Sequence, residues 1–209
     1  MILTLMSVST VHVVIQRASA SWPWYVIRAS GFTAAGLLIL LMLSGIGQVT
    51  GLTYRFVEPI KAWAIHKTLA IAMCVSIAIH GSFLLIDQFV KFSLPAVVLP
   101  FVSHYSNGTK LLGLPLNTIA VSMGILASYG IVLIVLSSLK WMDTKKRAWR
   151  KLHYLSYVVA ILVFLHALYS GSDLKYGAFR TFWILLGFIV LLGIISRLAR
   201  RGSTSGANS

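Results

Sequence analysis

Acidic residues are nearly missing from this chain. There are four in 209, at Glu58, Asp87, Asp143 and Asp173. None sits at the centre of a long apolar run, which argues against a proton pump or cation transporter built on intramembrane carboxylates. Cysteine occurs once, at Cys74, so an intramolecular disulfide and a cysteine-based metal cluster are excluded. Charge as a whole is scarce, at 11% of residues, against roughly 25% in soluble chains. With 58% hydrophobic residues and a mean hydropathy of +0.87, the chain has no water-facing surface to spare and belongs in a bilayer. Five spans of about 20 residues use nearly half of it, leaving no room for a large catalytic domain.

What is abundant is apolar sequence in long runs. Five stand out, near 24–47, 63–87, 115–139, 152–170 and 179–196. Spans in lipid must close their own backbone hydrogen bonds, so the expected fold is an all-α, polytopic transmembrane helical bundle. Residues 1–23 are set apart as an N-terminal interfacial segment. They are apolar but interrupted by Ser7, Ser9, Thr10 and His12, and a short sixth span or a signal-like segment with Ala18-Ser19-Ala20 is the alternative. Residues 24–197 form the membrane domain, and 198–209, Gly/Ser-rich from Gly202, a disordered cytoplasmic tail. The connection 88–114 is long, carries Pro95 and Pro100, and is expected to lie on the interface or serve function. Its Asn107-Gly108-Thr109 sequon is at chance level.

The net charge of +14 would point a soluble protein toward nucleic acid. Here it is read as topology and lipid headgroup contact, with no nucleic acid partner. Arg55, Lys61, Lys67, Lys140, Lys145, Lys146, Arg147, Arg150, Lys151, Arg197, Arg200 and Arg201 fall on one side. Arg17, Arg28, Lys91, Lys110, Lys175 and Arg180 fall on the other. Cytoplasmic loops carry the excess of Lys and Arg, which puts the 140–151 loop and the C-terminus inside, with the protein expected in a bacterial inner membrane.

Six histidines are present, and four lie in two spans that run parallel. His66 and His80 stand fourteen apart in span two, and His153 and His166 thirteen apart in span four. His66 and His153 share one depth near the inner face, and His80 and His166 share another about 20 Å further across. Imidazole in hydrocarbon is costly unless its nitrogens are satisfied. Two imidazoles facing each other at one depth can ligate one iron from both sides, and a porphyrin fills the apolar space around it. Ligation by two histidines leaves no open axial position, which suits electron transfer. Two such layers make a path from inside to outside. The alternative is a helical-bundle transporter or channel whose histidines handle protons or metal. Thirteen residues also leave about 140° of rotation on an ideal helix, so span four must be locally distorted or its two rings must sit at different angles. His12 and His104 lack partners at matching depth and are read as interfacial.

The His quartet, together with Arg28-Ala29-Ser30-Gly31, Gly124-Ile125-Leu126-Ala127 and Trp149-Arg150-Lys151-Leu152-His153-Tyr154-Leu155-Ser156-Tyr157, resembles the ferric reductase-like transmembrane domain over about residues 25–196. That family includes ferric-chelate reductases, the membrane domain of NADPH oxidases and the haem subunit of the periplasmic methionine sulfoxide reductase system. The resemblance implies two haem b groups: an inner one on His66 and His153, an outer one on His80 and His166. It implies Arg28 near the outer haem edge, and Lys67, Arg150 and Lys151 as partners of inner propionates, although positive-inside topology accounts for these last three equally well. It implies a b-type cytochrome, an oxidoreductase component that passes electrons across the membrane to ferric chelate, oxygen or a periplasmic partner protein. No Gly-rich dinucleotide fingerprint occurs in any cytoplasmic segment, so FAD and NAD(P)H are not expected on this chain. A separate flavoprotein or quinol is the expected donor.

Overall fold

A computed structural model of the chain describes residues 8–105, 110–111 and 113–206, with side chains described between Ser21 and Arg197 and at Ala199. The sequon at Asn107 lies outside the described residues, as does the side chain of His12. Among the described residues seven α-helices follow in order: α1 Val8–Thr50, α2 Pro59–Ile86, α3 Leu94–Val98, α4 Leu116–Trp141, α5 Lys146–His153, α6 Leu155–Ser170 and α7 Ala178–Gly206. Five stretches are long and apolar enough to cross a bilayer: Ser21–Thr50, Pro59–Ile86, Leu116–Trp141, Lys146–Ser170 and Ala178–Arg197. The protein is thus an integral, multi-pass membrane bundle. The described strands are β1 Lys110–Leu111 and β2 Leu114–Pro115, paired antiparallel. Gly113 turns between them at φ +79°, where a Cβ would be strained.

The spans agree with those expected from hydropathy to within a few residues, apart from the fourth. Residues 152–170 alone were expected to cross. At 1.5 Å per residue, α6 covers about 24 Å, short of a core of about 30 Å. α5 precedes α6 across a turn at Tyr154, and the candidate span takes in both, Lys146–Ser170.

The membrane-spanning parts of the first and last helices are Ser21–Thr50 and Ala178–Arg197. Helix α1 itself starts earlier, at Val8, and carries Pro23 within it, and α7 continues past Leu198 to Gly206. A helix that extends from an existing span does not meet the nucleation cost again.

Packing divides the bundle into two hairpins. α1 lies along α2, α4 lies along α6, and α7 closes against α1 and α6. A shared core joins Leu38, Leu41 and Met42 of α1, Met73 of α2, Ala127 and Ile131 of α4, Val159 of α6, and Val190 and Ile194 of α7. Leu133, Leu136 and Leu139 on α4 and Phe182, Leu185, Phe188 and Leu192 on α7 point outward. In water such surface would drive aggregation; against lipid tails it is the required face.

The long connection after α2 is folded onto the N-terminal half of α4. Asp87 accepts the amides of Phe89 and Val90 at 3.2 and 2.8 Å, turning the chain out of α2. Ser122 accepts the Phe101 amide at 2.7 Å, and the Thr118 hydroxyl donates to the Ser103 carbonyl at 2.9 Å. The Tyr129 hydroxyl donates to the Val98 carbonyl. These polar side chains on an apolar helix satisfy backbone groups that the loop would otherwise strand at the membrane edge.

Candidate cofactor site between α2 and α6

The two histidine-bearing walls are held apart, since α2 packs on α1 and the α5–α6 unit packs on α4. Across that gap the structure brings the rings together in two pairs. His66 and His153 have ring centres 6.4 Å apart, with their planes inclined at 46°. His80 and His166 also have centres 6.4 Å apart, with planes at 90°. The different angles accompany the interruption at Tyr154, which resolves the thirteen-residue spacing: α5 ends at His153 and α6 starts afresh at Leu155.

The hydrogen bonds of the outer pair define its tautomers. His80 Nδ1 lies 2.9 Å from the Ile27 carbonyl, and His166 Nδ1 lies 2.8 Å from the Ala120 carbonyl. A carbonyl oxygen can only accept, so each Nδ1 carries the proton. In the neutral ring Nε2 is then a free lone pair, the form in which imidazole binds metal, with the other nitrogen oriented by a backbone carbonyl.

The inner pair is fixed differently. His66 Nδ1 lies 3.4 Å from the Ser44 hydroxyl, which can give or take a proton and also accepts from Gln48 Nε2 at 3.1 Å. His153 Nδ1 is buried with no hydrogen-bond partner. Its ring rests on Trp149, with centres 5.2 Å apart, and the Trp149 indole donates to the Ser138 hydroxyl at 3.0 Å.

The spacing can be tested against a shared metal. A metal–imidazole bond is about 2.0–2.1 Å, and the ring centre lies about 1.2 Å behind its nitrogen, so two rings on opposite sides of one metal have centres ~6.4 Å apart. Both pairs match. Among the described residues no group of three or more His, Cys, Asp or Glu side chains could surround an ion. Each pair offers two imidazoles, which fits a metal whose remaining ligands come from a planar macrocycle. The residues fit haem better than a bare ion.

The cations singled out in the sequence are placed as follows. Arg28 gives its guanidinium to Asp173, with Nε 2.7 Å from Oδ2, and sits 4.1 Å above the Trp24 ring. Its neighbour Ile27 binds His80 through the backbone carbonyl, so Arg28 stands beside the His80–His166 pair with its fork engaged. Lys67 is exposed and lies 5.4 Å from the Trp63 ring. Arg150 and Lys151 are exposed on α5, and His104 is exposed in the loop. Three contributors were not foreseen. Ser44 and Asp173 touch site residues from positions distant in sequence. Arg197 bonds the Tyr157 hydroxyl and lies 5.2 Å from the Tyr154 ring, beside His153 in the chain. Only the aromatic stretch Tyr154–Tyr157 hinted at a cation partner.

A family model described as ferric reductase like transmembrane component matches residues 30–165. The match takes in His66, His80 and His153 and ends one residue before His166. No curated protein and no solved structure matches the chain.

Proposed function

The chain belongs to the ferric reductase-like transmembrane component family, and from that premise we propose that it is a membrane b-type cytochrome. In this proposal it carries single electrons from a cytoplasmic-side donor to an acceptor outside. The observation that carries the proposal is the pairing of four histidines from facing walls at two depths, each pair 6.4 Å between ring centres. Two haem b groups, when bound, would supply one-electron carriers about 20 Å apart. His66 and His153 would hold the inner group, His80 and His166 the outer one.

The chain's own residues do the rest. The carbonyls of Ile27 and Ala120 orient the outer imidazoles and raise their basicity as ligands. Met73, Leu69 and Ile77 on α2 and Leu162 and Val163 on α6 exclude water between the layers. The acids stand away from the rings: Glu58 pairs with Lys61, Asp87 caps a turn, Asp173 takes Arg28, and Asp143 is exposed. That distribution supports electron transfer over proton handling.

The donor in this proposal is a separate flavoprotein or membrane quinol. Exposed Lys145, Lys146, Arg147, Arg150 and Lys151 around α5 offer an acidic flavoprotein a docking surface on the cytoplasmic side of a bacterial inner membrane. The acceptor is a ferric chelate, oxygen or a periplasmic protein. Alanine substitutions test the assignment through haem content. His66→Ala and His153→Ala should each remove one haem, and His80→Ala and His166→Ala the other, while His104→Ala leaves both. Unchanged haem content in His66→Ala would overturn the assignment.

A further inference from the structure

Three of the four imidazoles lie against glycines on the backing helices. On α1, Gly31 and Gly45 stand fourteen residues apart, the interval between His66 and His80 on the antiparallel α2. They meet in register. A Cβ built at Gly45 would lie 3.5 Å from His66 Cε1, and one at Gly31 would lie 3.1 Å from both Cε1 and Nδ1 of His80. On α4, a Cβ at Gly124 would come to 2.6 Å from His166 Nδ1 and 2.7 Å from its Cε1.

The outer layer repeats a finer relation. His80 bonds the carbonyl of Ile27, four residues before Gly31, and His166 bonds the carbonyl of Ala120, four before Gly124. In an α-helix that carbonyl already accepts the amide of the glycine itself. A hydroxyl side chain at that position occupies the oxygen, as Ser30, Thr33, Ser122 and Ser128 do on the carbonyls of Val26, Ala29, Thr118 and Gly124, and any Cβ at Gly31 or Gly124 would crowd the ring nitrogen that bonds there. With no Cβ, the second lone pair of the oxygen is open to a ring from another helix.

We infer that Gly31 and Gly124 are positioning residues. Each uncovers a helix carbonyl that binds a histidine Nδ1–H, leaving Nε2 of His80 and His166 unprotonated for the outer ligand site. The inner layer lacks this device: His66 meets a hydroxyl at 3.4 Å and His153 Nδ1 has no partner. The two layers are therefore held by different means. The inference rests on the ligand role proposed above.

The test uses the full chain produced with ample haem, read by haem per chain, electron paramagnetic resonance of the oxidised protein and thermal melting. Gly124→Ala should abolish or displace one of two low-spin signals, and Gly31→Ala should displace the same signal by less. Two variants serve as controls. Nothing lies within 4 Å of a Cβ at Gly36, whereas one at Gly130 would meet Val159 Cγ2 at 2.6 Å without touching a histidine. Gly36→Ala should match wild type, and Gly130→Ala should melt earlier yet keep both signals. Both signals at wild-type positions in Gly31→Ala and Gly124→Ala would overturn the inference. If Gly124→Ala does not accumulate, Gly31→Ala decides on the same terms. A wild-type protein without haem would instead strike at the proposed function. Nitrogen NMR of histidine-labelled protein then decides the glycine inference by itself. Two rings in the Nδ1–H form in wild type, one of them lost in Gly31→Ala, would uphold it; an unchanged pair would overturn it.

Discussion

A neutral imidazole in hydrocarbon has one nitrogen that must donate and one that must accept, and each of the four intramembrane histidines has at most one of these satisfied by protein among the described residues. The free nitrogens were legible from sequence in a coarse way, because a polar ring inside an apolar run needs a reason. The partners were not. Ile27 and His80 are 53 residues apart, and Ala120 and His166 are 46 apart, so no local pattern announces either bond. The pairing of Arg28 with Asp173 spans 145 residues and was hidden for the same reason. Both side chains of that pair are mostly shielded, at 31% and 24% exposure, so its geometry matters more than that of a surface pair. Asp173→Asn leaves the Arg28 guanidinium half-buried and under-satisfied. A loss of about 1–2 kcal/mol is expected, seen as earlier melting in detergent. In an Arg28→Gln background the same change should cost much less, and equal losses in both backgrounds would show that the pair is not coupled.

At the scale of the elements, five spans could be read from hydropathy because lipid demands long apolar helices. Their ends could not. α1 and α7 run on where composition changes, and the break at Tyr154 lies in a stretch without proline or glycine. The thirteen-residue interval between His153 and His166 was the only sign of that break, since an unbroken helix would have put the rings on different faces. The outer loop was legible as a loop but not as a packed one. It is tied to α4 by buried Ser122 and Thr118, residues that look like ordinary small members of a membrane helix. Ser122→Ala strips the Phe101 amide of its acceptor. About 1 kcal/mol of local stability should go, giving a several-fold rise in hydrogen exchange over residues 99–105. Unchanged exchange there would mean that the loop is held by other contacts.

Across the whole molecule, two helical hairpins stand side by side and meet chiefly through α1, α6 and α7, so the space between α2 and α6 is bridged by histidine rings more than by close backbone packing. In the function proposed above, that division gives transmembrane electron transfer a physical form: two histidine pairs would each hold a haem, with aliphatic side chains between them. It also defines the decisive experiment. The full chain, purified in detergent after haem-replete expression, is assayed for haem against protein and for its reduced-minus-oxidised absorbance. About two haem b per chain, with the sharp difference bands of six-coordinate b-type haem, is the expected result. A colourless, folded protein with no difference spectrum would contradict it.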